Sequence, residues 1–209
     1  MKKPIIEILF YLVLPIAIWK YGREPLGDYY AMLFSTVPAI LYTIYSFFKE
    51  KQFNVTGLFL VMTMTISTVL SIMSGGAEEM LWVGVYMNFG LAGFWLLTML
   101  VGKPFVLYFA VDLGYVQGYP REESRALFFK KENMRYFYGL TFFCLIRDVL
   151  EGFLRIYLIY TVGVNGYDKI LFIHRSVGWG FTLLLALLIM YTYRKIQQNI
   201  GPKPPLVVE

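Results

Sequence analysis

Long apolar runs alternate along this chain with short polar separators, and the length of the runs sets the first expectation. A helix needs ~20 apolar residues to cross the ~30 Å hydrocarbon core of a bilayer. Runs of that kind occupy about 29–48, 54–73, 80–101, 136–162 and 170–193, and a shorter one, "PIIEILFYLVLPIAIW", occupies 4–19. Their separators are "KEKQFN", "SGGAEE", the long stretch 102–135 and "GVNGYDK". The pattern predicts an all-α, polytopic integral membrane protein with about six transmembrane helices, the first one short. Residues 1–200 form a single helical domain and 201–209 a short cytoplasmic tail.

The first run follows Met1-Lys2-Lys3 and has the outline of a signal peptide. Glu7 interrupts its apolar core and no small-residue cleavage site follows, so it is read as a short or tilted helix bent near Pro15. Pro38 should kink the second span, with Ser35 and Thr36 placed to satisfy carbonyls near the break. The fourth span carries Gly84, Asn88, Gly90 and Gly93, residue types that let membrane helices approach closely.

Composition agrees with the pattern. Hydrophobic residues make up 58% of the chain and charged residues 16%, against ~45–50% and ~25% in ordinary soluble domains. The 17 tyrosines and 4 tryptophans suit the belts where spans meet headgroups. A single cysteine, Cys144, lies inside an apolar run, which excludes an intramolecular disulfide and marks the thiol as packing. A single histidine, His174, excludes a multi-histidine metal site or a paired-histidine haem site within one chain. No metal and no cofactor is expected.

The net charge of +5 is read as membrane topology rather than nucleic-acid binding, because the basic residues sit between the apolar runs. With six spans, thirteen lie on the side of both termini: Lys2, Lys3, Lys49, Lys51, Lys103, Arg121, Arg125, Lys130, Lys131, Arg135, Arg194, Lys195 and Lys203. Four lie opposite: Lys20, Arg23, Lys169 and Arg175. The positive-inside rule makes the first side, and both termini, cytoplasmic. His174 and Arg175 then open the last span near the outer surface, where a histidine reads as an interfacial residue.

The largest basic stretch, "YPREESRALFFKKENMR" at 119–135, falls on the cytoplasmic side. Its Arg121, Arg125, Lys130, Lys131 and Arg135 form a candidate surface for anionic lipid or a protein partner, and equally fit a solvated loop obeying the topology rule. The preceding "KPFVLYFAVDLGYVQG" at 103–118 is too short to cross, and Asp112 makes lipid exposure costly. An interfacial helix is expected there, with a re-entrant loop as the alternative.

The fifth span holds the candidate chemistry. In "FFCLIRDVLEGFLRIYLIY", at 142–160, Arg147, Glu151 and Arg155 recur every fourth residue and Asp148 follows Arg147, so one helix face carries all four charges. A lone ionised group at the bilayer centre costs ~2.5–3.5 kcal/mol on insertion scales, so this face should look inward with acids and bases offsetting one another. Three roles fit. The charges could lock this helix to a neighbour or a second subunit. They could line a cavity in which an arginine holds an anion and a carboxylate relays protons. They could serve an enzyme acting on lipid, although no nucleophile elbow, phosphate loop or dinucleotide fingerprint accompanies them. Glu7 and Asn88 are the polar groups nominated to reach this stripe.

The order of features resembles the bacterial intracellular septation protein A family and related inner-membrane proteins. The matching elements are "LYTIYSFFKEKQ", "MLWVGVYMNF", the Lys103-Pro104 pair in "VGKPFVLYF", Asn133 before the fifth span, and the closing "FTLLLALLIMYTYRKI". The resemblance covers roughly residues 20–195. It implies a multi-pass, non-enzymatic protein of the bacterial cytoplasmic membrane with a part in envelope maintenance or septation, acting through protein partners or as a homo-oligomer among membrane lipids. It assigns no role to Arg147, Asp148, Glu151 or Arg155, where the sequence departs from the family pattern. Small-solute transport through the charged stripe is the alternative expectation, and a membrane enzyme acting on lipid the third.

Overall fold

The structure, a computed structural model, describes residues 2–49, 54–116 and 120–200, so the expected tail 201–209 lies outside it. The described residues are almost wholly helical: α1 (Lys2–Ile8), α2 (Leu14–Lys49), α3 (Val55–Met73), α4 (Ala77–Leu100), α5 (Val106–Val116), α6 (Arg121–Phe128), α7 (Lys131–Val162) and α8 (Tyr167–Ile200). Four helical stretches are long and apolar enough to cross a membrane: Ile5–Lys49, Val55–Met73, Ala77–Leu100 and Val164–Ile196.

The first of these folds back on itself. Gly27 has φ 77° and ψ 164°, a backbone conformation open essentially to glycine alone. It reverses the chain, so that 2–26 and 28–49 lie antiparallel. Tyr11 Oη and Thr43 Oγ1 share a hydrogen bond of 2.8 Å, and the Phe10 and Tyr42 rings stack at 5.2 Å. At the turn Arg23 Nε donates to Asp28 Oδ1, and its Nη2 reaches Asn165 Oδ1. The bend expected near Pro15 takes the form of a π-helical turn at Leu9–Val13. Proline offers no N–H to the carbonyl four residues back, and a widened turn just before it absorbs the mismatch. At Pro38 the helix continues, while Ser35 Oγ donates to Met32 O at 2.6 Å and Thr36 Oγ1 to Leu33 O at 2.7 Å.

The long helices alternate in direction. Trp95 of α4 meets Asp148 of α7 while Gly84 meets Arg155, and Glu151 of α7 meets His174 of α8 while Phe143 meets Phe181. The core divides into two apolar clusters at opposite ends. One gathers Trp19, Met32, Leu81, Leu158 and Ile170. The other gathers Trp95, Leu107, Phe128, Phe137, Cys144 and Ile196. On α7 the charged residues 147–155 fall between Cys144 of one cluster and Leu158 of the other, so a polar layer separates two apolar ones.

Helix α5 has 11 residues, about 16 Å at 1.5 Å per residue. It does not simply lie on a surface: Val106, Leu107 and Ala110 are buried in the second cluster. Buried Asp112 accepts from Thr56 N and Oγ1, both at 2.9 Å, and so satisfies the N-terminus of α3, where Asn54 Oδ1 also accepts from Gly57 N. Several tyrosines also tie helices together. Tyr29 Oη donates to Ile72 O, Tyr138 Oη to Met99 O and Tyr193 Oη to Ala110 O.

Candidate functional site

The four charges of α7 do not neutralise one another as a ladder along the helix. Only Arg147 and Asp148 form an ion pair within the stripe, and the other two side chains turn toward different neighbours. Arg147 Nε and Nη2 donate to Asp148 Oδ1 at 2.9 and 2.6 Å. From α4, Trp95 Nε1 donates to Asp148 Oδ2 at 2.6 Å. Both oxygens of this buried carboxylate are therefore engaged, which closes it to ligands and ties α4 to α7 through a charge-assisted contact.

Glu151 turns toward α8, where its Oε2 lies 3.5 Å from His174 Nε2. Its Oε1 lies near Gly178 of the same helix α8. Arg155 turns toward α4 and lies directly over Gly84, where a Cβ would fall inside the guanidinium. Its Nε is buried and has no hydrogen-bond partner. Asn88, one turn along α4, bridges the two helices when its amide is oriented to suit its surroundings. The nitrogen then donates to Gly84 O and the oxygen accepts from Gly152 N, both at 3.1 Å.

The small residues of α4 therefore split in role. Gly84 seats an arginine, whereas Gly90 and Gly93 meet no neighbour. On α7 the close approach falls at Gly152, against the Phe89 ring. Glu7 is half-buried on α1 and lines neither of the cavities described next.

Beside Arg155 is a cavity of about 250 Å³, walled by Gly84, Arg155, Tyr167, His174 and Arg175 together with Thr36, Ser67, Ser71 and apolar side chains. A second cavity of about 290 Å³ shares Thr36, Ser67, Ser71, Tyr167 and Arg175 with it and extends past Ser35 and Thr68 to Tyr11 and Thr43. The pair makes a hydroxyl-lined space between α2, α3 and α8, with guanidinium groups at its inner wall. Arg175 stacks over the Tyr11 ring at 5.4 Å. Among the described residues neither Arg155 nor Arg175 forms an ion pair. The polar layer sets three guanidinium groups, Arg147, Arg155 and Arg175, against two carboxylates, Asp148 and Glu151. It therefore carries excess positive charge.

His174 and Arg175 were expected at the outer edge of the last span. They lie seven and eight residues inside α8, which begins at Tyr167, about 11 Å along the helix from its start. The sequence did not show that they share a cavity with Arg155, because that contact is made between helices. It also missed Trp95 as the partner of Asp148 and the hydroxyl wall. A signal existed for the wall: Ser35, Thr36, Ser67, Thr68 and Ser71 are polar residues within otherwise apolar helices. Arg155 stands on the cavity, Glu151 beside it, and Arg147 and Asp148 in the adjoining closed pair.

The predicted basic surface divides as well. Arg121 and Arg125 line a groove beside α3 and α5, while Lys130, Lys131 and Arg135 are exposed outside it. No protein-family model, curated protein or solved structure matches the chain.

Proposed function

We propose that this is a multi-pass protein of a bacterial cytoplasmic membrane that takes a small anionic solute into its interior and passes it across the bilayer. The observation that carries the reading is the cavity between Arg155 and Arg175, two guanidinium groups that form no ion pair among the described residues and face a wall of hydroxyls. A planar guanidinium donates in fixed directions to oxyanions. An ionisable residue kept inside an apolar bundle marks a ligand path by default. The volumes lie below the ~300–1,000 Å³ of drug-sized ligand pockets, which favours a small anion.

The reading takes the chain to cross six times with both termini cytoplasmic. The two arms of Ile5–Lys49 count separately because Gly27 reverses the chain, and α7, with 32 residues, is long enough to join them. Its charges are carried on the face turned inward. Large apolar side chains stay exposed along α3 and α8, among them Leu58, Ile66, Ile72, Leu183 and Leu187, as lipid contact requires. Outside the fifth span the basic residues divide thirteen against four, which favours this orientation. A role in envelope maintenance or septation, implied by the resemblance, would be exercised by partners on this scaffold. The lipid-enzyme reading is weakened by the closure of Asp148, which leaves Glu151 as the one carboxylate of the stripe open to chemistry.

The test is anion flux into vesicles containing the purified protein, with chloride, inorganic phosphate and acetate as probes. Flux of at least one probe should exceed that of empty vesicles and fall to background in Arg155→Gln and Arg175→Gln. Equal flux in wild-type, variant and empty vesicles for all three probes would overturn the reading.

A further inference from the structure

Arg121 and Arg125 play no part in the interior cavity, yet they are held in place. Helix α6 is fixed by buried Ser124 and Phe128, the latter inside the second apolar cluster. Its two arginines stand one turn apart, each laid on an aromatic ring: Arg121 over Tyr115 at 4.6 Å and Arg125 over Phe129 at 5.5 Å. They form the rim of a groove of about 600 Å³ whose walls include Val55, Leu58 and Tyr108. Asp112 is the acidic residue among the groove's described lining, and its Oδ2 already accepts two hydrogen bonds from Thr56, while Arg121 lies 3.7 Å from Oδ1. Glu122 and Glu123 of the same helix do not line the groove.

The groove therefore joins two surfaces of opposite character. Val55 and Leu58, 38% and 58% exposed, begin the apolar outer face of α3, and the arginines supply excess positive charge one helix end away. An amphiphile with an anionic head and an apolar tail matches both. We infer that this groove is a binding site for one anionic phospholipid, its phosphodiester held by Arg121 and Arg125 and its acyl chain laid along Val55 and Leu58. The inference rests on the chain being a membrane protein with this end in the cytoplasmic leaflet, and not on the anion cavity. Lipid of that leaflet is the anionic kind that juxtamembrane arginines attract.

The experiment is native mass spectrometry of the full chain in neutral detergent, titrated with phosphatidylglycerol or with phosphatidylcholine. The wild type should retain one phosphatidylglycerol in preference to phosphatidylcholine. Arg125→Gln should weaken retention about five-fold and Arg121→Gln with Arg125→Gln about twenty-five-fold. Lys130→Gln with Lys131→Gln, outside the groove, should leave retention unchanged. If the double arginine variant does not fold, Arg125→Gln alone decides, since its guanidinium rests on a ring and not on Asp112. Retention in the arginine variants equal to wild type, no preference for phosphatidylglycerol, or equal loss in the lysine variant would overturn the site. Displacement of the lipid by an equal concentration of inorganic phosphate would also overturn it, as it would mark a free-anion site with no use for the acyl chain.

Discussion

Arg155 of α7 occupies the space that any side chain at position 84 of α4 would need. Gly84 is thus a seat for a buried guanidinium, and the arginine reaches the cavity because α4 is bare at that point. Gly84→Ala should force the guanidinium to move. Overpacking of this kind costs ~1–3 kcal/mol, and anion flux should fall with it. Gly90→Ala, where nothing lies within reach of a Cβ, should change stability by less than about 0.5 kcal/mol. Unfolding in detergent and vesicle flux measured on both variants check the contrast.

The closed pair of Arg147 and Asp148 should behave as structure and not as a ligand site. Asp148→Ala leaves the half-buried Arg147 without its partner and should cost ~3 kcal/mol, the lower end for breaking a buried pair. Trp95→Phe removes one hydrogen bond to a charged acceptor and should cost ~1.5–3 kcal/mol. Replacing both charges, Arg147→Met with Asp148→Leu, should recover most of the loss. Denaturant unfolding of the four proteins tests this, and a double replacement as unstable as Asp148→Ala would contradict it.

Asn88 also joins α4 to α7, through one neutral hydrogen bond from Gly152 N, while its other bond closes on Gly84 O of its own helix. Interhelical bonds of that kind inside membrane proteins average ~0.6 kcal/mol and reach ~1.7. Asn88→Leu should therefore be milder than Asp148→Ala in the same unfolding experiment, with flux retained once the protein is folded.

Gly27 makes the first hairpin. Its φ of 77° with ψ of 164° is strained for any L side chain, and Gly27→Ala should cost ~1–3 kcal/mol. Open space around position 27 means that the loss is conformational and not steric. Cysteines at Tyr11 and Thr43, whose side chains touch in the folded hairpin, should be bridged by a bifunctional thiol reagent in the wild-type background and more slowly with Gly27→Ala.

Orientation has its own test. An exported reporter fused within the α7–α8 turn, at Asn165, should be active, and the same reporter after Ile200 should be silent. The reverse pattern would invert the topology and place the Arg121–Arg125 groove on the outer leaflet.

What the sequence determined by itself was everything that depends on local pattern. Runs of ~20 apolar residues specify long helices, Pro15 and Pro38 mark where a helix must adapt, and the spacing of Arg147, Glu151 and Arg155 puts those charges on one face. Periodicity carries that information because a helix repeats every 3.6 residues. It does not say which way a long side chain turns once the face meets its neighbours. The expectation of charges paired along the stripe gave way to Arg155 over Gly84, Glu151 beside His174, and Asp148 held by Trp95, contacts that join residues about 20 to 70 positions apart. The cavity has the same origin. Most of its hydroxyls come from α2 and α3 and its cations from α7 and α8. Burial of charge is settled by what lies opposite, and only the tertiary structure sets one helix opposite another.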